Sequence, residues 1–125
     1  MFLLHLGELR DNLSGRIALV APSVGIVTHE LRDAIRDSEV VIFDGTFWSD
    51  DELAAVRPGA RSARQMKHLP ISEGSLDLLR QSSARWKIYT HINNTNPILM
   101  PGSHERAQLD RAGIEIARDG LEIVL

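Results

Sequence analysis

The feature that most constrains the fold is the run EVVIFD at residues 39–44, which Gly45 follows at once. Its four consecutive apolar residues are typical of a strand that is buried on both faces, as in the parallel sheets of α/β proteins. Such proteins commonly bind ligands beyond the carboxyl ends of their strands, which is where Asp44 stands. An aspartate at this point can also be a turn residue that accepts backbone N–H groups, and position alone leaves both interpretations open.

The segments around this run predict further strands and helices. Residues 1–8 and 16–21 are apolar-rich and flank the turn cluster at 12–15, so they indicate a β-hairpin. Thr28 is suited to cap a helix that reaches about Ser38.

Later segments continue the alternation of helices and strands. Ser49 opens a capping-box pattern, which predicts a short helix that stops before Pro58, and Ser72 is suited to cap the next helix. A strand is predicted at residues 86–92. Ser103 is then suited to cap a helix that Gly113 closes.

A terminal β-hairpin is predicted around Asp119-Gly120, with Ile114 and Ile116 on one strand and residues 121–125 on the other. The predicted order is β-β-α-β-α-α-β-α-β-β. It favours one mixed sheet with helices packed on it.

Composition narrows the classes of function. The 125 residues have no cysteine, so any metal must be held by His, Asp or Glu. The net charge is −3 with the two signs interleaved, which gives no electrostatic reason to expect nucleic acid or an anionic membrane as a partner. No stretch is long enough to span a bilayer, and the amino-terminal residues lack the basic region of a signal peptide. We therefore expect a cytoplasmic protein of one domain at most.

His91 follows the predicted strand at 86–92 as closely as Asp44 follows its own. The next residues include Asn93, Asn94, Thr95 and Asn96, an unusual concentration of directional donors and acceptors beside an imidazole. They are suited to orient the imidazole or to hold a polar ligand. Asparagine also accumulates in loops because it tolerates turn geometry.

His68 precedes the predicted helix at Ser72 and is suited to be a ligand, a proton carrier or an ordinary loop histidine. With Asp44 and His91 it makes one carboxylate and two imidazoles from three loops. That set suits a divalent transition metal and has the ligand types of two-His-one-carboxylate iron sites. If the three converge, their ligating atoms should lie within about 4–5 Å of one another. His5, His29 and His104 are interpreted as structural or surface residues.

The sequence around these residues resembles one known family over nearly the whole chain. The resemblance is carried by the segments DGTFW at 44–48 with DDE at 50–52, HLP at 68–70, HINNTNPIL at 91–99, and GIE at 113–115 with Asp119-Gly120. These segments are similar to the coenzyme PQQ synthesis protein B family of the metallo-β-lactamase superfamily. The resemblance implies an αββα fold, of which residues 1–125 would be a single C-terminal half-domain: a mixed β-sheet with helices mainly on one face and an apolar opposite face.

The resemblance also implies roles for single residues. Asp44 matches the superfamily's metal-bridging aspartate, His91 matches its last histidine ligand, and His68 matches an accessory histidine that would act in catalysis. Asn93, Asn94 and Asn96 would hold the cofactor or substrate. The cofactor would be a divalent transition metal, with iron favoured and zinc as the alternative, incompletely ligated by this chain.

Three departures from the family qualify these assignments. The superfamily's first cluster of metal ligands and the family's cysteine-rich zinc segment are both absent from this sequence. Lys67 stands where the family usually has glycine. The chain is therefore expected to be a fragment that binds metal weakly and is catalytically incomplete by itself.

The implied function is pyrroloquinoline quinone (PQQ) biosynthesis, by metal-dependent hydroxylation of tyrosine in the Glu–Tyr unit derived from the precursor peptide. Expected partners are that dipeptide or another PQQ precursor, and either the missing N-terminal half or a homo-oligomer partner. The alternatives are a carrier that delivers PQQ or its precursor to the periplasm, and a generic metallo-hydrolase. A metal requirement for activity supports an enzyme, and quinone binding without metal supports a carrier.

Overall fold

The computed structural model of the protein describes residues 7–125, and residues 1–6 lie outside the described part. Strand β1 (Gly7–Arg10) pairs antiparallel with β2 (Ile17–Ala21). The turn between them is held by the carboxylate of Asp11, which accepts the backbone N–H groups of Leu13 and Ser14. The predicted hairpin is confirmed for the described residues, while residues 1–6 of its first strand cannot be compared.

Three further strands extend the sheet in parallel. They are β3 (Val40–Asp44), β4 (Trp86–Thr90) and β5 (Glu115–Ile116), and the sheet order is β1-β2-β3-β4-β5. Strands β2 to β5 are parallel to one another, so their carboxyl ends meet at one edge. The prediction of a mixed sheet in an α/β fold is confirmed.

Four α-helices connect these strands: α1 (His29–Arg36), α2 (Glu52–Val56), α3 (Leu76–Gln81) and α4 (His104–Ala112). The hydroxyl of Thr28 accepts the N–H of Leu31, and that of Ser103 accepts the N–H of Arg106. Gly113 ends α4 at a φ of 70°, a left-handed conformation that glycine adopts without steric cost. These caps lie where the sequence predicts them.

Two predicted helix starts differ from the structure. Residues Ile71–Ser75 form a π-helical turn that begins after Pro70 and runs into α3. Ser72 is inside that turn, where its hydroxyl donates to the carbonyl of Trp48 instead of capping a helix. The capping box at Ser49 is also incomplete, because the carboxylate of Glu52 accepts the N–H of Trp48 and α2 has no side-chain cap.

The predicted terminal hairpin is wrong. The turn at Asp119-Gly120 forms, with the N–H of Leu121 donating to the carbonyl of Arg118, but residues 121–125 form no strand. The two-residue β5 pairs in parallel with β4 instead of with the chain that follows it. A groove on the sheet is lined by the apolar residues Leu121, Ile123 and Leu125. Their alternation with exposed residues thus reflects packing against the sheet and not a second hairpin strand.

Helices α1, α3 and α4 pack on one face of the sheet through buried leucine and isoleucine side chains, whereas α2 has no buried residue. The parallel connections step in the same direction along the sheet, and right-handed crossovers that do so place their helices on the same side. The buried core between the two layers combines strand residues with helix residues. It includes Leu19, Phe43 and Tyr89 from the strands and Leu31, Leu79 and Leu109 from the helices.

The opposite face carries an apolar groove of about 370 Å³. Its floor includes Val20, Ile42 and Ile88, and residues 121–125 form one of its walls. Ile88 is fully buried while Val20 and Ile42 are partly exposed, so this face is apolar and in part accessible to solvent. None of the helices in the described residues is both long and apolar enough to cross a bilayer.

Gly45 permits a close approach of the chain after β3 to β4 at the edge where the site forms. A Cβ atom at position 45 would lie 2.7 Å from Cβ of Tyr89 and 3.2 Å from the carbonyl oxygen of Thr90. Neither atom can move without moving the strand, so Gly45→Ala should destabilise the protein by about 1–3 kcal/mol. Urea unfolding measures this. Gly7→Ala is the control, because a Cβ at position 7 has only ordinary contacts at 3.9 Å. Equal stability of the two variants would contradict this account of the strand approach.

Candidate metal centre

Asp44 ends β3 with its side chain fully buried, and four donors surround its carboxylate. One oxygen, Oδ1, accepts the backbone N–H of Thr46 at 3.0 Å and the Thr46 hydroxyl at 2.6 Å. The other, Oδ2, accepts the backbone N–H of Val24 at 2.9 Å and lies 2.7 Å from Nδ1 of His68. A carboxylate has about four lone-pair directions, so this one is saturated by hydrogen bonds.

His68 reaches the carboxylate from the loop that precedes the π-helical turn. The backbone on either side anchors that loop, since the N–H of His68 donates to the carbonyl of Ala63 and the N–H of Leu69 donates to that of Val24. The ring of Phe47 contacts the imidazole edge-on at 6.0 Å between centroids. The imidazole is therefore held in one place, with its side chain 15% exposed.

Lys67, the residue before His68, has a φ of 63°. Residues with a Cβ pay roughly 1–2 kcal/mol in this left-handed region, whereas glycine does not. That conformation gives a physical reason for a glycine at this position. The backbone here also passes close to Gly25, where a Cβ would lie 3.2 Å from the carbonyl oxygen of Lys67.

His91 follows β4 and is exposed, with its backbone also in the left-handed region at a φ of 57°. This turn brings Nδ1 of its ring to 2.8 Å from the hydroxyl oxygen of Thr46. The ring centroids of His68 and His91 are 5.5 Å apart.

The three residues that sequence reasoning selects therefore converge. Asp44, His68 and His91 each offer one ligand atom, and the three atoms lie within 4.8 Å of one another. That separation agrees with the expected 4–5 Å, and metal bonds to such atoms are about 2.0–2.2 Å long. The donor set is one oxygen and two nitrogens at the carboxyl edge of a parallel sheet, and a small shift of the ligands would let them share one ion.

A family model for the β-lactamase superfamily domain matches residues 10–92, which include all three of these residues. The chain belongs to the β-lactamase superfamily.

Two relatives of this chain have the same name, coenzyme PQQ synthesis protein B. Coenzyme PQQ synthesis protein B from Cupriavidus taiwanensis is 48% identical over 120 residues, which cover 94% of this chain and 39% of that protein. The protein of that name from Rhizobium meliloti is 42% identical over 123 residues, covering 97% of this chain and 40% of the relative. The resemblance seen in the motifs is thus confirmed, and the chain spans about two-fifths of the length of these relatives.

A solved structure is similar to this fold. The crystal structure of Zn²⁺-bound PqqB from Methylobacterium extorquens superposes with a TM-score of 0.82 at 32% sequence identity. The match covers 90% of this chain and 41% of that chain. The arrangement of strands and helices described above is therefore that of a β-lactamase superfamily domain.

The loop at residues 93–96, called the asparagine loop, is hydrogen-bonded to the backbone next to the site. Asn96 is buried, and its Nδ2 donates to the carbonyl of Gly45 at 2.9 Å while its Oδ1 accepts the N–H of Ile98 at 3.1 Å. Asn93 is partly buried and its Nδ2 donates to the hydroxyl of Thr95. Asn94 is exposed. Asn96 and Asn93 thus position the loop, and ligand binding by any of the three stays a prediction.

Sequence reasoning missed two polar residues that the site uses. Thr46 places its hydroxyl within hydrogen-bond distance of Asp44, His68 and His91. Glu52 is half-buried, which raises the pKa of its carboxyl, and it accepts the hydroxyl of Thr95 at 2.6 Å. The sequence signals for them are local: Thr46 stands two residues after Asp44, the spacing of an Asx-type turn, and Glu52 is the last residue of the capping-box pattern that opens at Ser49.

Asn96→Ala should destabilise the protein by about 1–3 kcal/mol, because it leaves the buried carbonyl of Gly45 and the N–H of Ile98 without a side-chain partner. Asn94→Ala is the matched control in the same loop and should change the free energy of unfolding by less than about 0.5 kcal/mol. Thermal unfolding of the two variants checks the difference. A stable Asn96→Ala variant would mean that the loop is held by other contacts.

Proposed function

We propose that this chain provides part of a divalent-metal centre in a protein of PQQ biosynthesis. The observation that carries the proposal is the convergence of Asp44, His68 and His91, which reach one point from separate segments of the chain. The similarity to coenzyme PQQ synthesis protein B supports the pathway, and the zinc in the related PqqB structure supports the metal.

The donor set fits a first-row divalent ion. Imidazole nitrogen with carboxylate oxygen suits both zinc and iron, and neither sulfur nor an all-oxygen shell is present to favour copper(I) or calcium. We assign Asp44 and His91 as ligands and His68 as the accessory histidine. We favour iron, because the proposed reaction is an oxidation and because one imidazole and one carboxylate are part of the ligand set of two-His-one-carboxylate iron sites.

Metal binding has to compete with the hydrogen bonds of Asp44. Since all four acceptor directions of the carboxylate are used, an ion reaches it only by replacing one donor. The N–H groups of Val24 and Thr46 belong to the backbone, and the Thr46 hydroxyl is held beside Asp44 by the same turn, so the exchangeable donor is the His68 imidazole. The loss of one hydrogen bond to Asp44 and the small number of ligands both lower the affinity for the metal ion, so we expect the isolated chain to bind metal weakly.

The proposed reaction is hydroxylation of the tyrosine in a Glu–Tyr precursor, with dioxygen as the oxidant and an external two-electron donor, so that one oxygen atom replaces a ring hydrogen and the other leaves as water. The metal, when bound, would supply the oxidising chemistry. The chain's own contribution would be a proton carrier: the imidazole of His68, which lies beside Asp44, would take a proton from a substrate phenol through a ring nitrogen that has a lone pair. Asn94, which is exposed, and the partly buried Asn93 beside it would hold the polar backbone of the dipeptide.

Because the chain spans about two-fifths of its relatives' length, we propose that turnover needs further protein, either an N-terminal half or a second copy.

The carrier and hydrolase alternatives differ from this proposal in what they bind. A carrier would bind PQQ equally well after chelation of all metal. A hydrolase would need the metal but would cleave an ester or amide and leave the tyrosine ring unchanged.

Isothermal titration calorimetry of the full chain with Zn²⁺, and with Fe²⁺ under anaerobic conditions, tests the metal site. We expect one ion per chain, with the affinity lowered at least about tenfold in His91→Ala and in Asp44→Asn, since each removes a ligand and even outer-shell changes commonly cost 10–100-fold. His104→Ala is the control, because His104 is an exposed histidine at the start of α4 and should not contribute. Equal losses in all three variants, or no loss in any, would contradict the assignment of this site.

A further inference from the structure

The hydroxyl of Thr46 lies at the centre of the candidate metal centre. Its oxygen is 2.6 Å from Oδ1 of Asp44, 2.8 Å from Nδ1 of His91 and 3.2 Å from Nδ1 of His68. We infer that Thr46 is a positioning residue that fixes the proton of His91 on Nδ1 and so presents Nε2 of that ring to a cation. The link to a cation rests on the proposed function, whereas the position of the proton does not.

Asp44 is a carboxylate and therefore cannot donate a hydrogen bond. Both backbone N–H groups that reach it are fixed as donors, one to each oxygen. The Thr46 hydroxyl has a single proton, and at 2.6 Å from Oδ1 that proton is committed to the carboxylate. The hydroxyl oxygen can therefore only accept from any other partner.

His91 is that other partner, so the hydrogen-bond direction follows. With the hydroxyl proton directed to Asp44, the contact of 2.8 Å is made only if Nδ1 of His91 carries hydrogen. A neutral imidazole has one N–H and one lone pair, so Nε2 of His91 must hold the lone pair. Fixing the tautomer through the second ring nitrogen is how proteins commonly orient a histidine ligand.

His68 reaches the same tautomer by a different route. Its Nδ1 is 2.7 Å from Oδ2 of Asp44, so it donates to the carboxylate directly and depends less on Thr46, which is more distant. His68 is therefore an internal reference. A change of tautomer in His91 alone indicates that the Thr46 hydroxyl has been lost as a partner. A change of tautomer in both rings indicates that the whole site has lost its structure.

The backbone of Thr46 is held rigidly enough for this role. The residue is 7% exposed, its N–H donates to Asp44, and its carbonyl accepts the N–H of Asn93 at 3.0 Å from the loop that follows His91. The same peptide segment thus fixes both the hydroxyl and the chain that carries the imidazole. Without the hydroxyl, the exposed His91 ring would have only water as a partner for Nδ1.

The test is long-range ¹H–¹⁵N NMR of the metal-free chain, at a pH above the range in which an ordinary imidazole titrates. In the wild type we expect Nδ1–H for both His68 and His91. Thr46→Val keeps the shape but removes the hydroxyl, and it should move His91 toward the Nε2–H form that free histidine favours in water while His68 is unchanged. Thr46→Ser restores the hydroxyl and should restore Nδ1–H at His91.

Several outcomes would overturn the inference. One is Nε2–H at His91 in the wild type, and another is an unchanged His91 in Thr46→Val. If Thr46→Val alters both histidines, the fold of the site is lost, and Thr46→Ala is then used in the same way because it needs less space. An unchanged His91 in a folded Thr46→Ala variant overturns the inference as well.

Zinc titration of the same variants adds a readout that keeps the two proposals separate. Thr46→Val should bind Zn²⁺ about 10–100-fold more weakly than the wild type, with Thr46→Ser close to the wild type. Absence of zinc binding by the wild type, with the expected tautomers, refutes the metal centre and leaves the role of Thr46 in place. Undiminished zinc binding by a Thr46→Val variant whose His91 has changed tautomer refutes the link between the hydroxyl and the cation.

Discussion

The buried carboxylate of Asp44 is the group on which the geometry of the site depends. A charge taken out of water is tolerated only with close partners, and here the partners come from three parts of the chain: Val24 after β2, Thr46 after β3, and His68 before the π-helical turn. Each hydrogen bond therefore also fixes a loop. The four hydrogen bonds to the Asp44 carboxylate therefore fix the positions of the loops at this edge of the sheet.

The parallel pairing of β3 with β4 brings the remaining residue, His91, to that edge. The register aligns Asp44 with Thr90, so the chain must turn immediately afterwards for the imidazole to face the carboxylate. The left-handed conformation of His91 makes this turn at a local energetic cost. Contacts from the asparagine loop to the carbonyls of Gly45 and Thr46 stabilise it. The close approach at Gly45 and the hydrogen bonds of the buried Asn96 thus help to fix the position of His91.

Features with local causes could be predicted from the sequence. The apolar run at 39–44 forms the buried strand, and Thr28 and Ser103 cap helices because a cap needs only its own next turn. The prediction of a terminal hairpin was wrong because β5 pairs with β4. This pairing joins segments that are far apart in the chain, so the local alternation of apolar residues does not indicate it. The identities of Asp44, His68 and His91 could be proposed from residue type and position, with the family resemblance adding to them. Thr46 and Glu52 could not, since their importance arises only from which side chains meet them in space.

Anomalous diffraction at the zinc absorption edge, from crystals of the chain grown with Zn²⁺, tests the central claim most directly. The account predicts an anomalous peak within bonding distance, about 2.0–2.2 Å, of a carboxylate oxygen of Asp44 and a ring nitrogen of His91. It also predicts that one of the donors now on Asp44 has moved away. A peak bound elsewhere on the protein, with the hydrogen bonds around Asp44 unchanged, would contradict the claim that these residues form a metal centre.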